Sequence, residues 1–372
     1  MEVGYDFLHW LGPDISIQIL MFLDDPSDLA RVTAVSRSMR RFVIENGLCK
    51  QLCLRMFPEI SSVAHDIEVK NVIEPVEFGP KFSMEWECLE RDHRVYAFLA
   101  QGLTSFMRKD CITEAIVASS TDNYPEESIQ NTLEPNNADE VEQRALYWSS
   151  KGESDPTVSE TLIYKLIANL CVITEIHVQP FQAYFQFGHP IYSAKAVRFQ
   201  MGHSKYLVEI ESGIIDESAA GHISSDDKFI WTYTSPEFPM AQENCLQKFK
   251  LPEPVLCIGG ILKIELLGRV QRQEMDGLYY ICVAHVQAVG RSLLPAFDVE
   301  LLDSLGKCTL KYYPEARKLS EGEASGPSRL RTFTTSLMQR GVRGWEQIIL
   351  NTLLGAGAVV GDDDESDDEL VA

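Results

Sequence analysis

The sequence predicts an α+β multidomain protein: three N-terminal helices, a helical connector, an antiparallel β-sandwich, then a C-terminal helix and a disordered acidic tail. Three observations predict it. Apolar residues near the N-terminus recur at helical spacing; later in the chain they fall in short runs divided by Gly, Pro, Asn and Asp; residues 362–369 carry seven acids around Ser366. At about 150 residues per domain, 372 residues make two or three domains. With 45% apolar and 24% charged side chains, the chain has material for at least one sizeable core.

The first helix opens at Pro13, whose missing N–H is harmless in a first turn, and shows Ile15, Ile19 and Leu23 at i, i+4 and i+8, widened by Leu20 and Phe22. Asp25 before Pro26 predicts an N-cap, and Asp28 suits the positive helix end. A second helix is expected to carry Leu29, Val32, Val35, Met39, Phe42 and Val43 until Asn46 and Gly47 stop it. A third runs from Leu48 to about Met56, before Phe57 and Pro58. So few residues make a poor core alone. Two readings stay open: a subdomain packed on the rest of the chain, or a docking surface for another protein.

Residues 61–84 are expected to form an irregular connector, and 85–107 a helix with Trp86, Leu89, His93, Tyr96, Leu99 and Leu103 in phase. His93 has no second ligand nearby and is expected to be packed or superficial. Strands are expected at Thr161–Leu166, Ala168–Val178, Gln182–Phe187, Ala194–Met201, Phe229–Thr234, Leu246–Leu251, Cys257–Leu267, Tyr279–Val289 and Phe297–Leu302. Pro252 and Pro254 fall between two of these runs, where they remove no ladder hydrogen bond. Residues 319–328 have linker composition, and a helix is expected over 336–354 with Leu337, Val342, Trp345, Ile348, Ile349 and Leu353 on one face.

The net charge of −22 disfavours nucleic acid and anionic lipid. Nine scattered cysteines without a CxxC pair suggest buried thiols in a reducing compartment rather than zinc ligands. The N-terminal residues lack a basic n-region, and the apolar stretch 348–360 is too short to span a bilayer, so a cytoplasmic or nuclear protein is expected. No nucleophile elbow, P-loop, zinc-protease or kinase signature is present; no catalytic residue, metal or cofactor is nominated.

The order Pro13, Asp14, Ile15, Ile19, Leu20, Leu23, Asp28, Leu29, Val32, Val35, Ser36, Arg37, Arg40, Val43 and then Leu48 to Cys53 resembles an F-box. Gly12 stands where that family usually has Leu, and Met39 and Cys49 where it often has Trp. The resemblance implies docking on a Skp-type adaptor, and through it on the cullin and RING subunits of an SCF-type ubiquitin ligase. It places Pro13, Ile15, Ile19, Leu20, Leu29, Val32, Val35 and Met39 as contacts or their direct supports. Arg31, Arg37, Arg40 and Arg41 are expected either to steer an acidic adaptor or to form a solvated face.

A second resemblance rests on residues 118–120, 147–150, 171–176, 262–267 and 279–286, which are similar to the galactose-binding-like, or discoidin-type, β-sandwich. The pairing is similar to one group of plant F-box proteins. It implies a jelly-roll sandwich over 111–315, after an F-box (1–60) and a connector (61–110), and before a linker with its helix (316–361) and the tail (362–372). In that family the end loops bind ligands, so Asp122, Asn123, Trp148 and His189 become candidate loop residues, although Trp148 also suits a core and His189 a structural turn. Ser366, among acids, is a candidate phosphosite. The combined expectation is a non-catalytic substrate-recognition subunit with an unknown protein or glycoprotein target. A carbohydrate-binding module and a β-sandwich hydrolase are the alternatives.

Overall fold

The computed structural model describes residues 10–63, 67–69, 81–105, 108–134, 147–205, 228–302 and 307–314. All of them belong to one compact unit, residues 1–317. The expected helix over 336–354, the acidic tail and Ser366 lie outside the described residues.

The N-terminal helices are α1 (Pro13–Met21), α2 (Pro26–Val35), α3 (Arg37–Glu45), α4 (Leu48–Met56) and the single turn α5 (Ile60–Val63). Asp25 caps α2 by accepting from the Ser27 N–H at 2.8 Å. The second helix expected from the sequence is two. Ser36 is extended (φ −154°, ψ 163°), and its hydroxyl accepts from the Met39 N–H at 3.0 Å, so one residue ends α2 and caps α3. The apolar period runs across the break and conceals it. Arg55 of α4 donates to the Met21 and Leu23 carbonyls and pairs with Asp24, satisfying the C-terminal end of α1.

In the described part of the connector, β1 (Ile67–Val69) pairs in parallel with β15 (Cys308–Tyr312), itself antiparallel to β14 (Phe297–Leu301). β15 is not among the strands expected from the sequence. Helix α6 (Lys81–Thr104) follows, burying Val95, Tyr96, Leu99, Ala100 and Leu103 at the expected spacing.

The sandwich has two six-stranded sheets. One has the order β10 (Phe238–Pro239), β8 (Ala194–Ser204), β12 (Ile261–Arg269), β5 (Glu160–Leu166) and β3 (Ile112–Ala118), with β9 (Phe229–Thr234) also on β8. The other runs β11 (Gln247–Ile258), β6 (Leu170–Gln182), β13 (Cys282–Ser292) and β2 (Lys109–Asp110), with β4 (Trp148–Ser149) on β13 and β7 (Ile191–Tyr192) on β6. Every pairing within these two sheets is antiparallel. Two expectations are corrected here. Residues 184–188 form a turn, because β6 ends at Gln182 and its partner β7 begins only at Ile191. Pro252 and Pro254 lie inside β11, at the register shift between Lys250 and Val255, where the interrupted ladder asks no N–H of them.

Strand alternation explains how the parts join. Cys171 and Ile173 of β6, with Val255 and Cys257 of β11, face Leu162, Tyr164, Phe199, Leu262 and Ile264 across the sandwich. Their neighbours Leu170, Val172, Leu256 and Ile258 point the other way, into a second core shared with Leu29, Val43, Leu52, Leu99, Phe297 and Leu310. The second sheet is thus buried on both faces along this stretch, and the helices form a third layer on it. Arg291 of β13 secures the layer by donating to the Gly102 and Ser105 carbonyls at the C-terminal end of α6.

Candidate functional site

Two regions carry exposed groups of functional character. The first is the outer face of the N-terminal helices. Ile15 and Ile19 are one helical turn apart on α1, with Phe22 just beyond its end, and all three are exposed; so are Trp10, Leu11 and Pro13. Val35 at the end of α2 is 70% exposed and Val32 is half-buried. Of the residues expected as contacts or their direct supports, Leu20, Leu29 and Met39 are buried in the module's own core, with Leu29 1% exposed. Exposed apolar side chains grouped in this way mark interaction surfaces.

The arginines expected to steer a partner are largely engaged within the chain. Arg31 pairs with Asp28, Arg41 with Glu45, and Arg40 with Glu90 of α6. Burial works against the Glu90 carboxylate, but hydrogen bonds from Arg94 and Arg40 hold its pKa below the usual value. Burial lowers the pKa of the neighbouring His93 imidazole, and the Arg40 charge adds to that. Deep in the same module, desolvation pushes the Cys49 and Cys53 thiols up to about 12, which makes them inert packing groups.

The second region is a loop cluster at one end of the sandwich. Asp122 and Asn123 are exposed in the loop after β3. The Asp122 N–H donates to the Ser149 carbonyl at 3.1 Å. Burial of its carboxyl, then the charges of Glu127 and Asp276, raise its pKa. His189 is exposed at φ 48° after Gly188 at φ 76°, two successive left-handed residues that close the 184–190 turn. Trp148 takes the core alternative: it is fully buried, with Nε1 donating to the Ser120 carbonyl at 3.0 Å. As part of the core it offers no face to a ligand.

Sequence reasoning missed two parts of this cluster. Tyr280 donates to Asp276 at 2.5 Å and crosses Tyr192 edge-on at 6.3 Å. Behind them Arg269 is buried with every nitrogen occupied. Nε donates to the Val158 carbonyl, Nη1 to Ser150 Oγ and to the Lys151 and Tyr279 carbonyls, and Nη2 to Glu160. Glu160 also accepts from Ser119 and Ser120. No local pattern announces such a network, since its members are far apart in sequence. Among the described residues no group of His, Cys, Asp and Glu is arranged to hold a metal ion.

A helical module layered on a β-sandwich is the class that this geometry defines, and residues 13–55 match the F-box-like family. The chain is 52% identical over 324 residues to the F-box protein At4g00755 of Arabidopsis thaliana, covering 86% of this chain and 85% of that protein; it belongs to the F-box proteins. About half of the chain is also similar to solved structures. One is a chitosan-binding module of a Paenibacillus chitosanase/glucanase (8% identity, 48% of this chain and 98% of that one, TM-score 0.30). Another is the family 32 carbohydrate-binding module of Clostridium perfringens NanJ in complex with galactose (10% identity, 49% and 99%, TM-score 0.28). Nothing that those proteins bind is carried over to this chain.

Proposed function

We propose that this chain is the substrate-recognition subunit of an SCF-type cullin–RING ubiquitin ligase. The outer stripe of the F-box docks on a Skp-type adaptor, which connects to cullin and RING subunits, and the sandwich presents a protein target. Ubiquitin transfer then occurs on the RING-bound conjugating enzyme, and this chain contributes no catalytic group. Such a subunit works in the cytoplasm or nucleus.

The observation that carries the reading is that Pro13, Ile15, Ile19 and Val35 remain in solvent while the inner faces of the same helices are sealed against the chain itself. Fully burying an Ile or Val side chain is worth about 1.5–3 kcal/mol before the costs of association, so a few anchors sustain an interface. The test is affinity co-purification of a Skp-type adaptor with the full chain and with the Ile15→Asp/Val35→Asp variant. The variant is expected to lose the adaptor by at least tenfold while its thermal unfolding is unchanged. Adaptor recovery equal to that of the unaltered chain refutes the docking assignment.

A further inference from the structure

The turn between β6 and β7 places three aromatic side chains in water: Tyr184 is 58% exposed, Phe185 70% and Phe187 97%. It is not a loose loop. The Ala183 N–H donates to the Pro190 carbonyl at 2.9 Å, the Gln186 N–H to Ala183 at 3.1 Å and the His189 N–H to Gln186 at 3.1 Å. Gln182 Nε2 donates to the His189 carbonyl at 3.1 Å, Tyr192 donates to the Gln186 side chain at 2.6 Å, and Asn244 donates to the Tyr184 hydroxyl. Phe181, stacked on Tyr147 at 3.8 Å, supports Phe185 from behind at 6.3 Å. An aromatic side chain has few torsions to fix, so it loses little entropy when a partner covers it.

The surroundings state the sign of the partner's charge. From Tyr192 the contacts lead to Tyr280 and from it to Asp276, with Glu274 on the same hairpin. Burial first, and the charges of Asp276 and Glu274 after it, raise the pKa of Tyr192, and the Asp276 charge raises that of Asp122. Glu243 is exposed beside the Asn244 that holds Tyr184. The cations on these same segments are Lys151, next to Asp122, Arg272, whose Nε is engaged with the Gly277 carbonyl, and Lys195, whose carbonyl accepts from the Met240 N–H at the start of the Glu243 loop. Among the described residues named here acids outnumber bases, and the charge of the whole chain, −22, has the same sign. Phosphate and anionic lipid are repelled by such a rim, whereas arginine and lysine both pair with carboxylates and sit over aromatic faces.

We propose that this turn and its acidic rim are the surface on which the sandwich takes a basic, apolar-rich peptide segment of a target protein. The assignment rests on the adaptor reading above for its biological setting, but not for its chemistry. The test pans the full chain against a random linear 12-residue peptide library displayed on phage. The recovered sequences are then synthesised and labelled for fluorescence anisotropy with the unaltered chain, Phe185→Ser/Phe187→Ser and Glu274→Gln/Asp276→Asn. Enrichment in Arg and Lys among apolar residues, with at least tenfold weaker binding by both variants at unchanged thermal unfolding, is the expected result. Acidic or uncharged sequences, no enrichment, or equal binding by either variant overturns it. So does a signal on a glycan array, or on vesicles with 30% phosphatidylserine, that Phe185→Ser/Phe187→Ser abolishes. Both variants are expected to retain the Skp-type adaptor, whereas Ile15→Asp/Val35→Asp retains the peptide; the two readings therefore fail separately.

Discussion

Arg269, the last residue of β12, and Glu160, the first of β5, form an ion pair whose side chains are 0% and 5% exposed. The pair ties four separate segments together, because Arg269 also holds the Ser150 hydroxyl and the Val158, Lys151 and Tyr279 carbonyls. Removing one charge of a buried pair leaves the other uncompensated, at a cost of about 3–5 kcal/mol. Arg269→Met is therefore expected to lower the urea midpoint markedly, and Glu160→Gln to do so as well. An unchanged midpoint for both would show that the loops do not depend on the network.

The two sides of the F-box helices are expected to respond oppositely to truncation. Leu29→Ala deletes a fully buried side chain and should cost about 2–5 kcal/mol, while Val35→Ala, in solvent, should stay within about 0.5 kcal/mol. Chemical denaturation of the two variants checks this. Equal losses would place Val35 in the core.

The N-terminal module is expected not to fold by itself. Its inner residues Val43, Leu48, Leu52 and Cys53 share one buried cluster with Val95, Tyr96 and Leu99 of α6, the helix that α2, α3 and α4 pack against. A fragment of residues 1–60 should show no cooperative thermal transition by circular dichroism. A sharp transition would contradict the shared core.

Stability is expected to fall as pH is lowered from 7.5 to 5.5. Burial lowers the pKa of both His93 and His285, with Arg40 and Arg94 acting further on His93 and His177 on His285, against the opposing influences of Glu90, Asp110 and the Thr132 carbonyl. Since these folded-state values are depressed, the unfolded chain takes up protons first, near the ordinary histidine value of about 6.5, and gains on the native state below it. Stability is complete above that pH and declines through it. Melting temperatures of the intact chain and of His93→Gln/His285→Gln test this, the variant having the flatter profile; rising stability toward pH 5.5 would reverse the sign.

Gly202 is expected to tolerate no side chain. It sits at the register shift between β8 and β9, and a Cβ there would lie 1.9 Å from the Ile230 carbonyl oxygen, which is backbone and cannot swing aside. Gly202→Ala should lower the melting temperature by several degrees, as backbone displacement costs about 1–3 kcal/mol. An unaffected melting temperature would mean that β9 shifts freely.

The sequence by itself determined the helical period of α1 and the extended runs within β5 and β8, because helix and strand periods are local consequences of backbone geometry. It also determined the F-box character, whose residues lie within one short segment. Local pattern did not separate α2 from α3, since both sides of Ser36 share one apolar phase, nor did it place Pro252 within a strand. Only the tertiary structure decided which apolar residues of α1 and α2 are spent internally. Ile15 and Leu20 are equally greasy letters, and what distinguishes them is which of them faces the rest of the module, where α4 packs against α1. The same holds for Trp148, drawn into the core, and for Phe185 and Phe187, kept out of it. Burial is a property of what comes together across long sequence distances, and no window along the chain contains it.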